Sequence, residues 1–237
     1  MVCKLADFVV DFKNPSVAVQ DFLKDYVTTE KPQFQIEVSS DEIAHARTLT
    51  TATNSIVQAE LTAFYIKLLS VFPLYGAMFL HASLIDVDGV GVAFAALSGT
   101  GKSTHTLLWQ KLLGKRVEII NGDKPIIRFM DNIPYGYGTP WNGKEHWGKN
   151  AKTPIKHICF IERSEQNSCE KITSQQALKS IFNQLFIPKD PAAALKTLEL
   201  LDKLFNSATV WVIKCNTDIS AASTAYNTIF GEEKYEA

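Results

Sequence analysis

The residues best suited to chemistry lie in one short segment, LSGTGKST, which spans residues 97–104. Gly99 and Gly101 allow backbone angles that turn successive N–H groups to one side, which makes a concave site for an anion. Lys102 adds a cation to this turn, and Ser103 adds a hydroxyl beside it. The candidate nucleotide-binding residues are Ser98, Gly99, Thr100, Gly101, Lys102, Ser103 and Thr104. Together they indicate a turn that binds the phosphates of a nucleotide.

The spacing is close to the phosphate-loop pattern of Gly, four residues, then Gly-Lys-Ser/Thr. Ala96 stands where that pattern has its first glycine. A buried strand before the turn and a helix over 102–113 after it are the context that the pattern requires. In this context Lys102 reaches the β- and γ-phosphates, and Ser103 places a hydroxyl on Mg²⁺. The alternative is a glycine-rich turn that only caps the helix.

A carboxylate that could serve the same nucleotide follows the next predicted strand, in the segment VEIINGDKP. The strand-like run 117–120 ends in Asn121-Gly122-Asp123. Asp123 could hold the metal through water, or it could accept a proton from an attacking hydroxyl. The alternative is an ordinary aspartate in a Gly-Asp turn. The candidate metal ligands are therefore Ser103 and Asp123.

A second informative segment, GYGTPWNGKEHWGKN, spans residues 136–150. Its glycines and tryptophans favour a flexible lid, because exposing tryptophan and ordering glycine both cost free energy. Lys144 could neutralise phosphate oxygens, and Glu145 could bind a second metal or orient an acceptor. The alternative is that the tryptophans plug the edge of the domain and the charges are solvated. The candidate acceptor-binding residues are Trp141, Lys144, Glu145 and His146, and His105 and Arg163 are further candidates for contact with phosphate.

The elements that must position these residues show both strand and helix periodicity. Asp88-Gly89 joins two extended runs and predicts a tight hairpin, whose second arm leads into the glycine turn. Such a hairpin predicts a mixed sheet in an α/β fold, flanked by helices. The predicted strands cover 4–12, 34–38, 78–87, 89–97, 155–161 and 208–215, with two more within 116–130, and the predicted helices cover 16–27, 56–72, 102–113, 174–186, 191–206 and 218–229. We expect a single domain over 1–237, with 1–75 packed on a nucleotide-binding core at 76–237.

The composition argues against several classes of partner. The chain has 237 residues, of which 46% are apolar and 21% charged, as is ordinary for a globular domain. Lys and Arg number 24 against 25 Asp and Glu, so no bulk charge points to nucleic acid or lipid. The apolar runs fall short of the ~20 residues that cross a bilayer, and the four cysteines form no CxxC pair. We expect a cytoplasmic protein with no nucleic-acid or membrane partner.

The segments LHASLIDVDGVGVAFAALSGTGKST and IINGDKP resemble those of the HPr kinase and phosphoenolpyruvate carboxykinase superfamily. The resemblance covers 78–128 well and 136–163 loosely. It implies a mixed-sheet phosphate-loop domain that binds ATP and Mg²⁺ and transfers a phosphoryl group to an acceptor oxygen. It also implies that His81, on the first hairpin arm, lies near the transferred phosphate, although a lone strand histidine is as often a core residue. Where the superfamily has paired aspartates, only Asp123 is present here, flanked by Gly122 and Lys124.

Three functions follow as hypotheses. The first is a kinase that uses His81, Lys102 and Asp123 to phosphorylate a hydroxyl of a small protein, a peptide or a small molecule. The second is a nucleotide-binding switch or scaffold without turnover, which the missing second carboxylate permits. The third is a carboxykinase-like lyase, which would need a transition-metal site and arginines for a dicarboxylate, whereas the chain has only Arg47, Arg116, Arg128 and Arg163. A homo-oligomer is compatible with the resemblance, because HPr-type kinases assemble as hexamers.

Overall fold

The computed structural model describes residues 1–49, 55–97 and 99–231. The chain divides into two compact units. The first comprises Met1–Met78 and Ile187–Leu200, and the second comprises Phe79–Phe186 and the chain from Leu201 onward. The expectation of a single domain stays a prediction, and the two units are described one at a time.

The first unit contains a small sheet and three helices. Its strands are β1 (Val2–Leu5), β2 (Phe8–Phe12) and β3 (Phe34–Ile36), and its helices are α1 (Val17–Leu23), α2 (Ser40–Leu49) and α3 (Ile56–Val71). The expected strand over 4–12 is wrong, because Ala6 and Asp7 both adopt a positive φ and turn the chain into a hairpin. Ser16 caps α1 by accepting a hydrogen bond from Val19 N–H. Helix α2 was not predicted.

Helix α3 and the turn after it form the most apolar segment of this unit. The 20 residues Ile56–Tyr75 are long and apolar enough to cross a membrane by length and composition, contrary to the expectation that no run reaches that length. Half of this stretch is buried within the protein. The buried carboxylate of Glu60 accepts a hydrogen bond from Ser16 N–H at 2.9 Å, which ties α3 to the start of α1. Such burial is typical of a core helix.

The large sheet confirms the mixed α/β class. Among the described residues its strands are β4 (Ala77–Phe79), β5 (Ala82–Val87), β6 (Val90–Ala95), β7 (Val117–Asn121), β8 (Ile126–Met130), β9 (Ile133–Tyr137), β10 (Lys152–Arg163), β11 (Ser168–Ile172) and β12 (Thr209–Cys215). Their order is β4-β8-β9-β10-β6-β5-β7, with β12 also beside β10 and β11 beside β12. The Asp88-Gly89 hairpin between β5 and β6 is confirmed, with a positive φ at both residues.

The strand directions place several carboxyl ends at one edge of the sheet. Strand β10 runs parallel to both β6 and β12, whereas β5 is antiparallel to both β6 and β7. The carboxyl ends of β6, β7, β10 and β12 therefore point the same way. In open α/β sheets this edge is where ligands bind. The glycine turn follows β6, and Asp123 follows β7.

Four further α-helices follow along the described part of the chain. They are α4 (Lys102–Leu113), α5 (Ser174–Phe182), α7 (Ile219–Phe230) and α6 (Pro191–Ser207), the last of which has residues in both units. Helix α4 confirms the prediction for 102–113. Its Trp109 is fully buried between Phe94 of β6 and Tyr226 of α7, with ring centroids 5.4 and 5.8 Å away. This aromatic layer anchors the helix that follows the glycine turn.

Three strand predictions need correction. The expected strand over 78–87 is interrupted at Leu80 and His81, which divides it into β4 and β5. Strand β9 enters the segment 136–150, which was expected to be irregular, and ends at Tyr137. Strand β11 was missed altogether, because its burial is intermediate to exposed throughout and its sequence, SCEKI, carries little hydrophobic signal.

Candidate functional site

Four side chains from three separate parts of the second unit meet at the carboxyl edge of the sheet. Asp123 is their common partner. Its Oδ1 lies 3.0 Å from His81 Nε2 and 3.5 Å from Lys102 Nζ, and its Oδ2 lies 2.5 Å from Lys124 Nζ. The structure thus brings together the three predicted catalytic residues, His81, Lys102 and Asp123, and adds Lys124 to them.

Asn121 fixes the turn that carries Asp123 and Lys124. The Asn121 side chain is fully buried, and its Oδ1 accepts the N–H groups of Asp123 and Lys124 at 2.9 and 2.8 Å. Its Nδ2 donates to the carbonyl of Thr139 at 3.0 Å, and Thr139 Oγ1 in turn donates to Lys124 O at 2.8 Å. An asparagine that closes such a turn holds the following backbone in one conformation. Asn121 is therefore a positioning residue for the carboxylate.

His81 owes its position to the interruption between β4 and β5. Its backbone N–H donates to Gln184 O at 2.9 Å, away from the sheet ladder, while the next N–H, of Ala82, donates to Asp123 O at 3.0 Å. The sequence left two alternatives for His81, a residue of the hairpin arm near the transferred phosphate or a core residue of the strand. His81 lies in the break with its side chain 25% exposed and directed to the Asp123 carboxylate.

The glycine turn has the backbone geometry that the sequence requires. Gly99 and Gly101 have φ of +77° and +118°, a region that other residues rarely adopt. Thr100 N–H donates to Leu97 O at 3.0 Å, so this amide is used within the turn. The Arg163 guanidinium donates to the carbonyls of Thr100, at 3.2 Å, and Gly99. Arg163, one of the further candidates for phosphate contact, thus binds two carbonyls of the turn. Ser98 lies outside the described residues.

The first turn of α4 offers further donors. The N–H groups of Lys102, Ser103 and Thr104 belong to this turn and have no intrahelical acceptor, as in any α-helix. The first intrahelical bond here runs from His105 N–H to Gly101 O. Helix amino ends with free N–H groups favour anions. The predicted residues Ser103 and Thr104 thus lie where the sequence expected them.

The charges of the cluster depend on burial and on one another. Burial acts to raise the pKa of the Asp123 carboxyl, but the hydrogen bond from His81 and the cations of Lys124 and Lys102 outweigh it and hold that pKa well below its usual range. Burial lowers the pKa of the Lys102 ammonium, and the Asp123 carboxylate offsets this in part. Lys102 Nζ is buried and makes no hydrogen bond of ordinary geometry to the described residues, so its 3.5 Å ion pair with Asp123 is its nearest charge contact.

The segment from Trp141 to Lys149 packs beside Asp123 and is tied to the β7 turn. Gly122 N–H donates to Trp147 O at 2.7 Å, and Lys124 N–H donates to Trp141 O at 3.1 Å. Trp141 is buried, and its ring centroid lies 6.0 Å from that of Phe79. This packing agrees with the alternative in which the tryptophan fills the edge of the domain. A Cβ added at Gly143 would lie 3.1 Å from Asp123 Cβ.

The remaining acceptor-binding candidates lie on the same segment at different depths. Lys144 and His146 are exposed, and Glu145 is half-buried. The Glu145 carboxylate acts electrostatically on Lys102 and favours its charged form. Glu145 therefore lies close enough to interact electrostatically with Lys102, whereas Lys144 and His146 face solvent.

His105 is buried, contrary to the expectation that it contacts phosphate or lies exposed. Its ring is 1% exposed, and its Nε2 accepts the indole N–H of Trp109 at 2.9 Å. Burial lowers the pKa of His105 to about 4, so the ring is neutral at physiological pH. Its role in this structure is to satisfy the buried indole.

A cleft of about 620 Å³ borders the glycine turn on its Arg163 side. Its floor includes Ile161, His105 and Cys215, and its rim includes Arg163 and Asn216. This volume falls within the range of small-molecule sites. The cleft lies at the carboxyl ends of β10 and β12 and is continuous with the turn.

The residues present fit the phosphates of a nucleotide better than they fit a divalent ion at Asp123. The buried Lys102 ammonium, the helix amino end and the two glycines supply donors for an anion. Both oxygens of Asp123, in contrast, are already engaged by His81, Lys102 and Lys124. Within the described ranges no three His, Cys, Asp or Glu side chains cluster as metal ligands would. The assignment of Mg²⁺ to Ser103 and Asp123 stays a prediction that this arrangement does not favour.

Comparisons with known proteins add little to what the structure itself shows. No known protein family matches the chain, and no curated protein matches it. Among solved structures it is similar to the HPr(Ser) kinase/phosphatase from Coxiella burnetii, with 14% identity over 54% of this chain and 88% of that one. The TM-score is 0.30, and at that level this distant likeness carries no conclusion about activity or ligand.

Two residues of the site had escaped sequence reasoning. Lys124 and Asn121 both lie within the quoted segment IINGDKP, but only Asp123 was given a role. The buried, turn-forming asparagine could have been suspected, because Asn-Gly after a strand favours a side-chain-closed turn. The inward direction of Lys124 has no such local signal.

Proposed function

We propose that this chain is an ATP-binding phosphotransferase that moves the γ-phosphoryl group to a hydroxyl of a small protein, a peptide or a small molecule. The observation that carries the proposal is the buried Lys102 ammonium at the amino end of α4, beside two left-handed glycines and 3.5 Å from Asp123. A buried ammonium without a hydrogen bond is costly, and an anionic ligand would remove that cost.

The triphosphate would lie along the glycine turn and the first turn of α4. Lys102 would move from Asp123 to the phosphate oxygens, and the N–H groups of Ser103 and Thr104 would donate to them. The nucleoside would extend into the cleft at Arg163. The Mg²⁺ that accompanies ATP would be met by the Ser103 hydroxyl, and when bound it would neutralise phosphate charge.

The transfer step would use Asp123 and His81. The acceptor oxygen would form a bond to the γ-phosphorus as the bond to the β-phosphate oxygen breaks and ADP leaves, and the hydroxyl proton would pass to the Asp123 carboxylate. His81 would hold that carboxylate in orientation through the hydrogen bond at 3.0 Å. Lys102 would stabilise the charge of the transferring group.

A second function, a nucleotide-binding switch without turnover, is favoured by a specific observation. His81, Lys102 and Lys124 surround the Asp123 carboxylate, and its pKa lies well below the usual range, which makes it a weak proton acceptor. In this alternative, ATP would displace Lys102 from Asp123 and change the turn without transfer. No observation favours the lyase, since Arg116 pairs with Asp88 and Arg163 with the glycine turn.

Calorimetric titration with a non-hydrolysable ATP analogue, followed by an assay of ADP release with hydroxyl acceptors, tests the proposal. We expect the parent to bind the analogue and Lys102→Met to bind it at least about tenfold more weakly, because a charge-assisted hydrogen bond contributes roughly 1.5–3 kcal/mol. Lys156→Met, at an exposed position of β10, is the matched control and should bind like the parent. Asp123→Asn should bind and lose ADP release.

The outcomes separate the two functions. Binding with Asp123-dependent ADP release supports the phosphotransferase. Binding without acceptor-dependent release in the parent supports the switch. If neither the parent nor Lys156→Met takes up the analogue, both functions are contradicted.

A further inference from the structure

Lys124 lies immediately beside the carboxylate of the site and is held there by its own backbone. Its N–H donates to Asn121 Oδ1 at 2.8 Å and to Trp141 O at 3.1 Å, and its carbonyl accepts Thr139 Oγ1 at 2.8 Å. Asn121 and Thr139 are fully buried, so this framework is rigid. The Cα atom of Lys124 is therefore held in a defined position relative to Asp123.

The Lys124 ammonium pairs with the carboxylate oxygen of Asp123 that His81 and Lys102 do not contact. Its Nζ contacts Oδ2 at 2.5 Å, while His81 and Lys102 contact Oδ1. The Lys124 side chain is 27% exposed and that of Asp123 21%, so water screens this ion pair only in part. The backbone of Lys124 belongs to the same turn as Asp123, whereas Lys102 belongs to helix α4.

This arrangement disfavours a divalent cation at Asp123. Mg²⁺ requires oxygen lone pairs in a near-octahedral shell at about 2.0–2.1 Å. An ammonium has no lone pair, and two lysine cations within 3.5 Å of the carboxylate repel a doubly charged ion. The carboxylate is already neutralised by the chain itself.

We propose that Lys124 is the permanent counter-ion of Asp123, at the position where phosphoryl-transfer sites commonly hold a divalent cation, so that ATP binds here without a divalent ion on this carboxylate. The inference rests on the proposed function. When phosphate draws Lys102 away, Lys124 remains on Asp123 and prevents repulsion between that carboxylate and the triphosphate. Glu145, whose charge acts on Lys102, stays in competition with the phosphate for that lysine.

The test compares ATP binding in EDTA and in MgCl₂ by calorimetry on the full chain. The ratio of the parent's dissociation constants in the two media is the reference value, because the Ser103 hydroxyl can meet the Mg²⁺ of ATP without Asp123. Lys124→Gln should bind about tenfold more weakly in EDTA and should regain affinity in MgCl₂, because the uncovered carboxylate then admits the ion. Lys156→Gln, the exposed control, should behave like the parent.

The variant Asp123→Asn distinguishes Lys124 from a divalent ion as the partner of Asp123, because the two cases predict opposite changes in ATP affinity. This test remains valid even if Lys124→Gln fails to fold. If Lys124 is the counter-ion, removal of the carboxylate charge frees both lysines, and ATP binds more tightly in both media. If a divalent ion sits on Asp123, the same change weakens binding in MgCl₂.

Two results would overturn the inference: a Lys124→Gln response to Mg²⁺ equal to that of the parent, or weaker Mg²⁺-ATP binding by Asp123→Asn. Either of these leaves the phosphotransferase proposal intact. No ATP binding by the parent in either medium contradicts the proposed function itself, and this inference with it.

Discussion

A single carboxylate, Asp123, is shared at the residue scale by an imidazole and two ammonium groups. The groups around Asp123 orient its carboxylate, but they also lower its pKa and so weaken it as a proton acceptor. Which donor leaves when a ligand arrives decides the chemistry. Lys102 is the candidate to leave, since its ion pair is the longest of the three at 3.5 Å.

At the same scale, we expect Asn121→Ala to destabilise the protein by roughly 2–3 kcal/mol, because it removes several buried hydrogen bonds and leaves the Asp123 N–H without its acceptor. Urea unfolding measures the change in the free energy of unfolding. Asn206→Ala, which removes one exposed hydrogen bond to Asp202, is the control and should change it by less than about 0.5 kcal/mol. Equal effects of the two changes would contradict the role assigned to Asn121.

Helix α4 joins the site to the core at the scale of the element. Its amino end supplies Lys102 and Ser103, and its following two turns carry the buried side chains of His105 and Trp109. The indole of Trp109 donates to His105 Nε2, so the histidine must stay neutral for this bond to persist. The position of the glycine turn therefore depends on a buried, uncharged imidazole.

This burial predicts a pH dependence of stability. His105 has a pKa of about 4 in the folded chain and 6.5 as the reference value, so below pH 6.5 the unfolded chain binds the extra proton. Stability from this group is complete above 6.5 and falls as the pH drops from 6.5 towards 4, by about 2 kcal/mol at pH 5. We expect His105→Gln to lose less stability than the parent between pH 7.5 and pH 5 in urea unfolding.

The comparison with the parent is needed because His157 also has a pKa lowered to about 4 by burial. That histidine is present in both proteins, so its contribution cancels in the difference. An identical pH dependence of parent and His105→Gln would contradict the assignment of this effect to His105.

The whole molecule consists of two compact units that differ in content. The first carries the small sheet and α3, and the second carries the large sheet with the candidate site. Each unit has a buried thiol, Cys3 in the first and Cys159 and Cys215 in the second, while Cys169 is half-buried. Burial raises the pKa of Cys3 to about 11 and that of Cys169 to about 12.

These thiols report on the packing of both units at once. We expect Ellman's reagent at pH 8 to label none of the four cysteines rapidly in the native chain and all four in urea, because both burial and the thiol form suppress reaction. Cys169 should react first as urea is raised. Rapid labelling of Cys3 or Cys159 without urea would contradict the packing of the corresponding unit.

Local sequence determined the elements whose signals are local. The Asp88-Gly89 hairpin, the glycine turn and helix α4 follow from backbone preferences and hydrophobic spacing over a few residues, and the structure has them at or near the predicted bounds. The breaks at Ala6-Asp7 and at Leu80-His81 were missed, because each lies within a strand-like pattern whose residue types do not signal the turn or the change of hydrogen-bond partner. The partners at the second break, Gln184 and Asp123, are distant in the chain.

Only the tertiary structure decided how the site is composed. A sequence pattern names Lys102 and Asp123 but not the distance between them, because that distance depends on strand directions and on the buried Asn121. It does not say that Lys124 turns inward, or that His105 is buried against Trp109, because both depend on packing between elements. Residue types and local spacing therefore define the chemistry that is available, whereas the charge partners that tune it arise where distant segments pack together.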